Sequence, residues 1–157
     1  MAESSPVMRS AVLRDYPLRL WAEQNEYLES LLRELHLLLL SSQRDDLQSA
    51  ASGRLVELAD LLQHRLGRLL QTVDDDRQAA LDAGRERMDS VLPLSDGLPG
   101  VLDEVRLVLE ETDEFCRHGD LLSLPRPPLL IAFATWEGTE LIAQSDGAEP
   151  TPWPGPF

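Results

Sequence analysis

The chain is 157 residues long, which suits one domain, and its 43% hydrophobic content is enough for a core without disulfide or metal staples. Its 28 acidic residues against 14 basic ones leave a formal charge of -14, a surface that repels phosphate backbones and anionic lipid. Nucleic acid and membranes are therefore poor partners, a protein with a basic patch is a better one, and a single cysteine excludes an internal disulfide.

Residues 1–14 show no sustained period and read as a flexible lead-in to a domain spanning 15–146. A helix is predicted from Asp15 or Tyr16 to about residue 41, with Pro17 in a first turn that tolerates it. Leu18, Trp21, Leu28, Leu32, Leu35 and Leu39 recur in threes and fours, and Leu31 and Leu38 widen the stripe. Asn25 shares that seam and reads as a wet position at the domain edge rather than a register-setting one. The run Leu37-Leu38-Leu39-Leu40 is too short to span a bilayer, and no leader pattern opens the chain, so the expected location is cytoplasmic.

Ser41 to Asp45 breaks the pattern. A second helix to about Gln71 is expected from Leu55, Leu58, Leu62, Leu66 and Leu69 on one face. Thr72 can cap a third, to about Met88, whose first turn carries Asp74, Asp75 and Asp76 against the helix dipole. Pro93 to Gly100 is a turn cluster. A fourth helix follows from Leu98 or Pro99, with Val101, Val105, Leu109, Phe115 and Cys116 at helical spacing. It closes on Arg117 and His118, with Gly119 as a left-handed stop. After Pro125, Pro127 and Pro128 a last helix carries Leu130, Phe133, Trp136 and Leu141, and residues 147–157 form a Pro-rich tail. No stretch alternates like a strand for more than a few residues. The expected fold is all-α: a four- to five-helix up-down bundle with a Pro-rich C-terminal tail, its core supplied by 17–41 and 99–118.

Chemistry-bearing motifs are sparse. Cys116, His118 and Asp120 lie close together but lack zinc-site spacing, and Cys116 continues an apolar face, so an inert buried thiol is expected. Asp96-Gly97-Leu98-Pro99-Gly100 lacks the glycine spacing and lysine of a phosphate loop. No carboxylate pair stands apart from the rest, so the expectation is no catalysis, no metal and no cofactor. The corner Arg117-His118-Gly119-Asp120 is the most distinctive point: Arg117 and Asp120 could pair across the glycine, and a structural role is favoured over a binding one.

The stretch Phe115-Cys116-Arg117-His118-Gly119-Asp120-Leu121-Leu122-Ser123-Leu124, with Pro127-Pro128, Phe133, Trp136 and the later Pro150-Thr151-Pro152-Trp153, resembles the C-terminal helical region of actinobacterial ATP-binding regulators of the anti-sigma/serine-kinase type. Tyr16 to Leu20, Leu31 to Leu35 and Gln78 to Asp82 are similar to the same region, so the resemblance covers residues 15–153. The total absence of Lys and the near-absence of Asn and Ile suit the high-GC coding of such bacteria. The ATP-binding domain of those proteins has no counterpart among these residues, so neither ATP binding nor kinase activity is implied. Glu137-Gly138-Thr139 also departs from the aromatic and basic pattern expected after Trp136. What the resemblance implies is a free-standing regulatory accessory domain.

The leading expectation is thus a non-catalytic protein–protein interaction module in a bacterial signalling or stress-response circuit. A small-molecule sensor is the second reading, with a pocket lined by Trp21, Phe115, Phe133 and Trp136. An enzyme using Arg117, His118 and Asp120 is the third. The candidate partner- or ligand-binding residues are Arg117, His118, Asp120, Trp136, Trp21 and Phe133. The leucine stripe at 28–40 would also suit a homodimer.

Overall fold

The structure, a computed structural model, describes residues 9–42 and 67–157, together with Arg54, Glu57, Asp60, Leu61 and His64. Its elements in chain order are β1 (Arg9–Pro17), α1 (Leu18–Ser42), α2 (Gly67–Asp82), β2 (Arg87–Leu94), α3 (Leu98–Arg117) and α4 (Pro128–Ser145). The all-α expectation is wrong: among the described residues a two-stranded antiparallel sheet stands beside four helices, and the fold is mixed α/β.

β1 occupies part of the stretch read as a lead-in, and β2 takes residues assigned to a third helix and to the turn cluster. Neither strand is rich in β-branched residues, so local preference hardly announces them; pairing across the fold makes them. Ala11 and Leu13 face inward on β1, as Ser90 and Leu92 do on β2. A strict two-residue period would next bury Asp15. Instead the register shifts between Leu13 and Tyr16, and Asp15 takes a left-handed φ of 51°. Asp89 Oδ1 accepts the Asp15 amide at 3.1 Å. The bulge spends one residue and returns Tyr16 to the core.

The outer edge of β1 is covered from α4 and the tail. Gln144 acts there as a one-residue surrogate strand: its Oε1 accepts the Val12 amide at 2.8 Å and its Nε2 donates to the Val12 carbonyl at 2.9 Å. The Trp153 amide donates to the Arg14 carbonyl at 3.1 Å, and its ring is buried among Phe133 and Trp136. An exposed ladder that could pair with other chains is thereby closed.

α1 starts at Leu18, because Pro17 ends β1 rather than opening the helix. It runs past two cores. Leu18, Leu20 and Trp21 pack with the sheet, Phe133, Leu141 and Trp153. Leu31 and Leu35 pack with Val108, Leu109, Cys116 and Leu121, and Leu61 joins them from the side. Of the core positions expected from periodicity, Leu35 and Leu109 are buried, while Leu28, Leu32, Val105 and Phe115 are half-buried at the rim. Asn25 is half-buried. The second predicted helix lies mostly outside the described residues. No helix starts at Thr72: α2 passes through it, and Asp74, Asp75 and Asp76 sit inside the helix.

Three helices end in the same way. Gly84, Gly119 and Gly147 each have positive φ. The residue after each glycine donates back five positions: Arg85 to Ala80, Asp120 to Phe115 and Ala148 to Ala143, all at 3.0–3.1 Å. These are Schellman stops, satisfying carbonyls that a helix end would strand. Gly84 is why the third predicted helix does not reach Met88.

Candidate functional site

The corner after α3 continues into a tether, residues 118–127, that lies along α1. Gly119 has the expected left-handed φ, 78°. The expected pairing of Arg117 with Asp120 is replaced: Arg117 and His118, both exposed, turn back to Glu114, His118 at 3.6 Å. Asp120 is exposed and contributes its backbone amide to the helix stop.

The tether is anchored instead by Glu34 of α1. Its carboxylate accepts the amides of Leu122 and Ser123 and the Ser123 hydroxyl, the Ser123 amide at 2.8 Å. One turn before Leu31, the Tyr27 hydroxyl donates to the Leu124 carbonyl at 2.6 Å. Burial, and then the neighbouring Cys116 and Asp113, hold the Tyr27 hydroxyl in its neutral, donating form by raising its pKa well above the usual tyrosine value.

The far end of the tether is clamped by an ion pair. Asp113 accepts the Arg126 amide at 3.0 Å and its Nε at 2.9 Å, with Nη2 at 2.8 Å. Both side chains are buried, at 8% and 5% exposure for Arg126 and Asp113, so breaking the pair by removing one partner leaves an uncompensated charge. Leu121 points into the second core. The main chain is therefore held at both ends and in the middle, yet Leu122 is 94% exposed and Leu124 is 78% exposed. Leu37, on the turn of α1 after Glu34, is 61% exposed. Leu122 and Leu124, two residues apart on the anchored tether, are called the ledge below.

The remaining candidates lie elsewhere. Phe133 is fully buried, and Trp136 is half-buried and near-parallel to it at 6.3 Å between centroids. Tyr16 and Trp153 complete the group, and the Trp136 indole donates to the Thr151 carbonyl at 3.3 Å. These rings pack against one another as core. Trp21 belongs to the same core, whereas Phe115 joins the second, so the four aromatics proposed to line one pocket are divided between two. Cys116 is buried, and burial raises its thiol pKa, which keeps it protonated and weakly nucleophilic. Among the described residues no group of three or more His, Cys, Asp or Glu is placed to hold a metal, and no helix is long and apolar enough to cross a membrane.

Sequence reasoning found the glycine corner but missed Glu34, Tyr27, Asp113 and Arg126. The pattern Tyr27, Leu31, Glu34 on one helix face carries only a faint signal: a carboxylate beside an apolar stripe also reads as a solvated flank. Comparison with family models, with curated proteins and with solved structures finds no match.

Proposed function

We propose that the protein is a non-catalytic interaction module whose ledge, centred on Leu122 and Leu124, docks on an apolar surface of a partner protein. The carrying observation is the contrast between a main chain anchored at Glu34, Tyr27 and Asp113 and two leucines left in water. Each exposed leucine forgoes roughly 1.5–3 kcal/mol of burial. A loop ordered before binding has already met much of the conformational cost of association. The net charge of -14 favours a basic partner over a second copy of the chain, since a homodimer would set two acidic surfaces together. The resemblance of residues 115–124 and 150–153 to the accessory region of actinobacterial regulators supports a place in a bacterial signalling or stress-response circuit, acting in the cytoplasm.

The test is capture from the native host with wild-type bait and with a Leu122→Ser/Leu124→Ser double variant. The partner should be retained by the first and lost by the second, while the two melt alike, since exposed substitutions usually change stability by less than about 0.5 kcal/mol. A partner held equally by both baits would place the docking surface elsewhere.

A further inference from the structure

The first core contains a guanidinium that its surroundings leave unfinished. Arg77 of α2 is completely buried. Its Nε donates to Ser90 Oγ at 3.1 Å, and its guanidinium carbon lies 4.1 Å from the centre of the Tyr16 ring. Those contacts fix the plane of the group but use only one edge. Nη1 and Nη2 are enclosed without a hydrogen-bond partner among the described residues. The Trp21 indole nitrogen from α1 is in the same condition, and it lies beside Asp74 without a hydrogen bond of normal geometry.

Two carboxylates stand near. Glu137 of α4 is already engaged, accepting the Tyr16 hydroxyl at 2.9 Å and Gln24 Nε2 at 3.1 Å. Asp74, one turn before Arg77, forms an ion pair with Nη1 through its Oδ1 at 3.7 Å, a separation too long for a hydrogen bond, and that Oδ1 accepts none from the described residues. The Asp74 side chain is 34% exposed, so it stands at the mouth of the cluster and can turn into water. Buried polar groups are nearly always paired, and Nη1, Nη2 and the indole nitrogen are donors only. What they lack among the described residues is an acceptor with two oxygens in one plane, matching the guanidinium fork.

We propose that Arg77 and Trp21 form a binding site for a small carboxylate, with Asp74 as the displaceable carboxylate at its mouth. The ligand's two oxygens accept from Nη1 and Nη2, the Trp21 N–H adds a third hydrogen bond, and Asp74 rotates outward as the ligand enters. A small anion of single charge is what the site selects. Inorganic phosphate matches an arginine fork as a carboxylate does, but it is bulkier and partly dianionic at pH 7, and the two flanking carboxylates repel the dianion. This site is separate from the ledge and does not depend on it.

The chain has three tryptophans, so its ¹⁵N–¹H correlation spectrum carries three indole signals, with that of Trp21 identified by its loss in Trp21→Phe. Sodium acetate, titrated at pH 7 against sodium chloride of equal ionic strength, should displace the Trp21 signal saturably and leave those of Trp136 and Trp153 in place. In Asp74→Asn, where the competing carboxylate is gone from a partly exposed position, half-saturation should come at a severalfold lower acetate concentration. Arg77→Met should abolish the displacement; should that variant not fold, Asp74→Asn alone decides. The proposal is overturned by a response identical for acetate and chloride, by equal saturation with inorganic phosphate, or by half-saturation unchanged in Asp74→Asn. No saturable displacement in either wild type or Asp74→Asn would mean that only water meets these donors, and that also overturns it.

Discussion

Three donors converge on the carboxylate of Glu34, and the geometry of the tether depends on that convergence. Glu34→Ala should cost about 1–3 kcal/mol in denaturant melts, because the Leu122 and Ser123 amides lose a charged acceptor. Amide hydrogen exchange at those two residues should accelerate well beyond that of the α3 helix; unchanged protection would show that the carboxylate is ornamental. Glu137 works in the opposite sense. Burial pushes its carboxyl pKa up, against the opposing pull of Arg77 and of the hydrogen bonds from Tyr16 and Gln24. The folded chain thus holds that proton more tightly than the unfolded chain, so ionising Glu137 costs stability as pH rises from the ordinary carboxylate range through its raised value. Glu137→Gln, which cannot ionise, should therefore gain on the wild type as pH rises through that window, whatever constant offset its altered hydrogen bonds introduce. A difference in melting temperature that stays flat from pH 4 to 8 would contradict the burial of an ionising carboxylate there.

Among the elements, α1 and α3 were legible because their apolar positions repeat over many turns, and the stop at Gly119 because glycine after a basic last turn has one economical explanation. The strands were not. β1 buries Ala11, Leu13 and Tyr16, a pattern that the bulge at Asp15 throws out of period, and β2 buries only Ser90 and Leu92. Both are strands because each meets the other and because Gln144 and Trp153 finish the β1 edge, and no local window contains that information. The tail shows the same dependence. A Cβ at Gly155 would clash with the Trp153 ring, so Gly155→Ala must push the indole from its seat and should loosen the tail. Trp153→Ala should cost about 3–5 kcal/mol if the ring is as closely packed as its neighbours Phe133 and Trp136 suggest. A loss near zero in calorimetry would show that the tail rests on the core without contributing to it. The Asp113–Arg126 clamp was equally hidden, since a carboxylate inside a helix and an arginine between prolines give no hint of meeting.

At the scale of the whole molecule, two cores strung along α1 leave the ledge on the second core and the Arg77 cluster in the first, under a surface that carries twice as many acids as bases. For the proposed interaction, that arrangement separates how a partner arrives from how it stays. Long-range charge acts on encounter and is screened over about 8 Å at 0.15 M salt, whereas burial of Leu122 and Leu124 acts only once contact is made. With the partner in hand, raising salt from low to physiological levels should slow association markedly and leave dissociation almost unchanged. Leu122→Ser/Leu124→Ser should do the reverse, speeding dissociation while the on-rate and its salt dependence persist. Stopped-flow or surface-binding kinetics resolve the two rates directly. A salt-independent on-rate would remove the acidic surface from the mechanism, and a double variant that dissociates as slowly as wild type would remove the ledge. The two parts of the proposed interaction can thus fail independently, because one is a property of the summed charge and the other of two side chains on an anchored loop.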